Sequence, residues 1–162
     1  IVTGTAKDVR RLEVAKKLGA DYTINVSEED PLERIMEITG GIGVDVSLEC
    51  TSGAGTIPVM LGVEALKRKG GTILLQGELA EFPNFPLGKA TVKWITFKSA
   101  RGHGYRSCEL ALEQLASNRF PLDLVTTHTY PLEDADTAVR AVAGEISEDV
   151  VHVSLLPHGP VH

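Results

Sequence analysis

Short apolar runs and stretches of helical period alternate along this chain. Residues 1–3 are a β-rich run that stops at Gly4. Residues 7–18 carry Val9, Leu12, Ala15 and Leu18 at helical spacing, with Gly19 as a terminal stop. Residues 22–26 predict a second strand. Asp30-Pro31 then starts a helix, with Glu33 placed as in a capping box, and Gly40-Gly41 ends it. Residues 44–49 predict a third strand with Val44, Val46 and Leu48 on its apolar side. Residues 56–69 predict a helix, and 72–76 a strand covered on both faces. After the proline-rich loop at 82–86 come a strand at 92–97, a helix at 107–117, a strand at 124–130, a helix at 132–143 and a strand at 150–155. Residues 158–162 read as a tail.

Strand and helix alternate almost without exception, and the connections are long enough for right-handed crossovers. The expected fold is therefore α/β, a doubly wound, mostly parallel sheet with helices on both faces. The chain opens inside a strand, which predicts a piece of a longer fold. No signal peptide stands at its start, and no apolar run approaches the roughly 20 residues of a membrane helix.

Composition narrows the function. With 162 residues, 43% of them hydrophobic, the chain can bury a core without metal or disulfide. A net charge of −6 argues against nucleic acid and membrane surfaces as partners. Cys50 and Cys108 lie far apart, outside any CxxC spacing, and read as buried or half-buried free thiols of a cytoplasmic protein.

In such a sheet, ligands bind beyond the carboxyl ends of the strands. The residues there are Gly4, Thr5, Lys7, Arg10 and Arg11 after the first strand, and Cys50, Thr51 and Ser52 after the third. Gly77 and Glu78 follow the fourth strand, and Arg101 and His103 the fifth. A GxGxxG phosphate loop is absent. Gly41-Ile42-Gly43, Gly53-Ala54-Gly55 and Gly102-His103-Gly104 each lack its third glycine and read as turns. His128 reads as a packed strand residue.

Four segments carry a resemblance. Residues 11–21 (RLEVAKKLGAD), 41–51 (GIGVDVSLECT), 70–77 (GGTILLQG) and 127–133 (THTYPLE) are similar, in order and at matching spacing, to the cofactor domain of zinc-type medium-chain alcohol and polyol dehydrogenases. The resemblance covers residues 1 to about 157. It implies a Rossmann-like domain that lacks its first strand and glycine-rich loop, with residues 1–120 as the partial dinucleotide-binding domain and 121–157 as a strand-helix-strand return. The family's zinc ligands precede this region, so no residue here is assigned as catalytic or metal-binding, and the chain alone is expected to be inactive.

The resemblance places adenosine contacts at Gly4, Thr5, Lys7, Arg10 and Arg11, further contacts at Thr51 and Ser52, and nicotinamide-side contacts at Gly77, Glu78, Arg101 and His103. Gly4 stands where the family has a ribose-binding acid. With cations nearby, this favours NADP over NAD, although Asp8 could supply the acid. The partners implied are the dinucleotide, a small alcohol or carbonyl substrate, and a second copy of the chain paired edge to edge through residues 92–97. The competing expectation is a non-catalytic oligomeric module with a degenerate fold.

Overall fold

The computed structural model describes residues 1–146 and 149–157. The predicted tail at 158–162 lies outside the described residues. The described residues divide into two compact units, one of residues 30–103, the other of residues 1–29 together with those described from 104 onward.

In the unit that opens the chain, β1 (Val2–Gly4) leads through a 3-10 turn (Ala6–Asp8) into α1 (Val9–Lys17) and then β2 (Thr23–Asn25). β1 and β2 pair in parallel, Val2 opposite Thr23 and Gly4 opposite Asn25. A parallel pair needs a crossover, and α1 supplies it, burying Val14 while β2 buries Ile24 completely. The later part holds α5 (Tyr105–Ser117), a 3-10 turn (Leu122–Val125), β6 (Thr126–Pro131), α6 (Ala135–Val142) and β7 (His152–Leu156). β6 and β7 are parallel, and α6 buries Ala138 and Ala141. Asn118, in the left-handed conformation, ends α5, a helix that buries none of its residues.

The second unit holds α2 (Pro31–Ile38), β3 (Val46–Glu49), α3 (Ile57–Ala65), β4 (Thr72–Leu75), α4 (Leu87–Val92) and β5 (Thr96–Ser99). Its sheet runs β3-β4-β5, all parallel, with Glu49, Leu75 and Ser99 level at the carboxyl ends. Asp30 caps α2 by accepting the Glu33 amide at 2.8 Å, as its spacing predicts. The core gathers Val63 and Leu66 against Ile73, with Val44, Leu75, Phe85 and Ile95 around them. Lys93 Nζ donates to the carbonyls of Val63 and Glu64 at 2.8 Å each, satisfying the end of α3. Burial lowers the Lys93 pKa; the Glu64 charge opposes this and the Lys89 charge adds to it.

Among the described residues every strand pairing is parallel, as expected, but the strands form three hydrogen-bonded sets rather than one sheet. The predicted strand at 92–97 is corrected. Residues 87–92 are helical, Trp94 turns the chain at φ 53°, and the strand runs Thr96–Ser99. Pro86 precedes that helix and Ala90 is its buried anchor, a local signal weaker than the mostly apolar, β-rich run from Val92 to Phe97. The helix expected at 56–69 stops at Ala65, because Leu66 turns to extended backbone. The strand expected from 124 starts at Thr126, after the 3-10 turn. On β3 the expected faces are exchanged. Val46 and Leu48 are exposed, while Ser47 and Glu49 turn inward, and Gly62 of α3 lies against Ser47. No helix among the described residues is long and apolar enough to cross a membrane.

Candidate functional site

The first group of candidate residues surrounds the end of β1. Thr5 is a cap: its amide and hydroxyl donate to Asp8 Oδ2 at 2.9 and 2.8 Å, and its oxygen accepts the Lys7 amide at 3.3 Å. Arg11 donates to Asp8 Oδ1 at 2.6 Å and to the Val150 carbonyl at 3.1 Å. Arg10 pairs with Glu13 at 3.3 Å. Gly4 is required by packing. A Cβ there would lie 2.9 Å from Asp8 Cβ and 3.2 Å from Leu12 Cδ2, so a carboxylate at this position would push α1 away from the strand.

Burial alone would raise the Asp8 pKa. The hydrogen bonds from Thr5 and Arg11, with the Arg11 charge, outweigh it and hold the pKa below 3.8. A lowered carboxyl pKa stabilises the fold above the unfolded value, and that stability disappears as the pH falls through the folded one. The chain should therefore lose stability as the pH drops from 3.8 downward, and Asp8→Asn should flatten that part of the profile. Thermal melts of both proteins across acidic pH test this, and parallel profiles would rule Asp8 out as a contributor.

The second group lies in the unit of residues 30–103. Thr51 and Ser52 follow β3, and Gly77 and Glu78 follow β4. Ser52 and Glu78 form a parallel bridge, and Glu78 donates its amide to the Thr51 carbonyl at 3.1 Å. Gly77 and Gln76 donate theirs to the Glu49 carbonyl at 3.0 and 2.9 Å. Thr51, Ser52 and Glu78 are exposed, and Gly77 is half-buried. Arg101 and His103 are also exposed. Arg101 reaches Glu78 at 3.9 Å, a pair too open to water to matter much for stability.

Beneath these turns lies a residue the sequence reading did not single out. Glu49 is 5% exposed; its Oε1 accepts the Thr51 amide at 2.6 Å and also the Thr51 hydroxyl. Its Oε2 is buried without a hydrogen-bond partner among the described residues. The available signal was an acid in the last position of an apolar strand, two residues before a threonine.

Cys50 and Cys108 are free, as expected, but exposed rather than buried. Cys50 stands just past the end of β3, and Cys108 is on α5, which buries nothing. Desolvation, then the Glu49 charge, raises the Cys50 pKa, so this thiol is not activated. His128 is half-buried on β6, its Nδ1 at 3.0 Å from Thr127 Oγ1. Gly41, Gly43, Gly53, Gly55 and Gly102 all have positive φ, in keeping with turns.

A profile described as zinc-binding dehydrogenase matches residues 1–117. The chain belongs to the zinc-binding dehydrogenase family. It is 32% identical to a sorbitol dehydrogenase of Halalkalibacterium halodurans over 97% of its own length and 44% of that relative's. It is 33% identical to the sorbitol dehydrogenase of Mus musculus over 87% of the chain and 40% of the relative. An erythritol/L-threitol dehydrogenase of Mycolicibacterium smegmatis is 30% identical, covering 91% of the chain and 39% of the relative. Among solved structures, an alcohol dehydrogenase from Thermus sp. ATN1 superposes with a TM-score of 0.78 and 29% identity, over 95% of the chain and 42% of that structure. The chain thus spans about two-fifths of the family members it matches.

These matches bear out the α/β Rossmann-like fold. The family name implies zinc. Among the described residues no three His, Cys, Asp or Glu side chains gather closely enough to hold a metal ion, so the described donors do not fit one.

Proposed function

We propose that this chain is the cofactor-binding part of an NAD(P)-dependent alcohol or polyol dehydrogenase, which moves hydride between a nicotinamide and a small alcohol or carbonyl. The observation carrying this reading is the bridged pair of turns at the carboxyl ends of β3 and β4, where Thr51, Ser52, Gly77 and Glu78 line up in a member of the zinc-binding dehydrogenase family. Exposed hydroxyls, backbone amides and a carboxylate at strand ends suit ribose and carboxamide groups. A bound nicotinamide would supply the hydride chemistry, and the residues of this chain bind and orient it. Arg101 and His103 are assigned to the nicotinamide side. Residues 1–120 form the partial binding domain in this reading, and 121–157 the return segment.

Gly4, Thr5, Lys7, Arg10 and Arg11 are assigned to the adenosine end, with NADP favoured because Gly4 has no room for a ribose-binding acid. A 2′-phosphate would have to draw Arg10 from Glu13 or Arg11 from Asp8. The exposed Arg10–Glu13 pair contributes about 0–1 kcal/mol, whereas a bidentate guanidinium–phosphate contact is stronger, so that exchange favours the phosphate. We place the protein in the cytoplasm, in keeping with its two free cysteines.

Titration of the 162-residue chain with NADPH and NADH, followed by amide NMR shifts, tests the reading. Weak binding is expected, tighter for NADPH, with shifts at Thr51, Ser52, Gly77 and Glu78. Silence at these residues with both cofactors would overturn it. The second reading, an oligomeric module without chemistry, draws on β5, which pairs with β4 on one side and is exposed along its whole length. It predicts a stable dimer by light scattering together with no cofactor shifts.

A further inference from the structure

Glu49 touches both binding turns. Its side chain holds the turn after β3 through two hydrogen bonds from Thr51, and its main-chain carbonyl holds the turn after β4 through the amides of Gln76 and Gly77. Gly77 leaves it no slack. A Cβ at that position would lie 2.7 Å from Glu49 Oε1, and closer still to Oε2 and to the Thr51 carbonyl oxygen. The carboxylate therefore fills the gap between the turns and sets their separation.

For stability alone this is a poor arrangement. One carboxylate oxygen takes both donors and the other is buried with none among the described residues, a desolvation cost that is larger for a charged group than for a neutral one. An aliphatic side chain would fill the same space without it. A buried polar group kept at such a cost calls for an explanation outside stability.

We propose that Glu49 is a positioning residue that fixes Thr51 relative to Gly77, so that the two turns meet the dinucleotide as one preformed ledge. This rests on the cofactor-binding reading. Binding to a preformed ledge avoids the cost of ordering it, and that saving appears as affinity.

The test compares the 162-residue chain with its Glu49→Leu and Glu49→Gln variants. Each is measured for thermal stability, for amide exchange at Thr51, Gly77 and Glu78, and for NADPH affinity. Glu49→Leu should fold and melt at or above the original, exchange faster at Thr51, and bind NADPH about tenfold more weakly, the equivalent of one lost charge-assisted hydrogen bond. Glu49→Gln keeps an acceptor for Thr51 and gains a donor near the Thr51 carbonyl, so exchange and affinity should return to the original. Unchanged exchange and affinity in Glu49→Leu would overturn the proposal, and so would an affinity loss matched by an equal loss of stability. If the unaltered chain binds no dinucleotide, the cofactor reading fails. The exchange rates then judge the clamp by themselves.

Discussion

Ile73→Ala should lower the unfolding free energy by about 2–5 kcal/mol, enough to leave a chain of this size marginal. Ile73 is fully buried in the middle strand of the β3-β4-β5 sheet and packs on Val63 and Leu66, which are also buried. Removing its side chain costs the transfer energy of the lost groups plus the cavity they leave. The collapse that could fill this cavity is restrained, because β4 is hydrogen-bonded on both sides. Denaturant unfolding followed by circular dichroism gives the value. A loss below 1 kcal/mol, the low end for removing buried methyl groups, would mean that this core is loosely packed.

Gly43→Ala should be comparably damaging for a different reason. Gly43 has φ +87° and leads into Val44, whose amide and carbonyl bond Ala65 and Lys67, both at 2.9 Å. An added Cβ would meet the Ala65 carbonyl oxygen at 2.5 Å and the Lys67 nitrogen at 2.9 Å. Both are backbone atoms at the end of α3, so no side chain can swing aside. Left-handed backbone costs a non-glycine residue about 1–2 kcal/mol, and overpacking adds about 1–3 kcal/mol. The sum is a destabilisation of about 3 kcal/mol, read as a lower denaturation midpoint at unchanged slope. Gly41→Ala is the control: a Cβ there meets nothing within 4 Å, so it should show the backbone cost alone.

The alternation of strands and helices was legible because the apolar periods are distinct and the stops are glycines. Asp30-Pro31 announced α2, and the capping box that does form, between Thr5 and Asp8, lies one helix earlier. Helix α4 was hidden because it is six residues long and buries Ala90 alone, while the mostly apolar run from its end at Val92 to Phe97 reads as a strand throughout. The inward turn of Ser47 and Glu49 was hidden because a hydrophobic alternation is read as if its apolar side must face the core. Here the close approach of Gly62 admits Ser47 instead. The strand-end candidates were found from chain order alone, since strand ends are where such folds bind ligands. What lay beyond reach was which of them are tied to one another. That depends on tertiary contacts such as Arg11 on the Val150 carbonyl, far away in sequence.

The uniformly parallel pairing also governs how the chain reaches this state. Neighbouring parallel strands cannot zip up from a hairpin, since the polypeptide must travel back along the sheet before they meet. β3 and β4 can therefore pair only once the segment containing α3 has closed its loop, and loop entropy is lost before any ladder bond forms. The turns that hold Thr51 and Gly77 are products of that closure. In a chain emerging from the ribosome they would be among the later features to take shape, after α3 has settled.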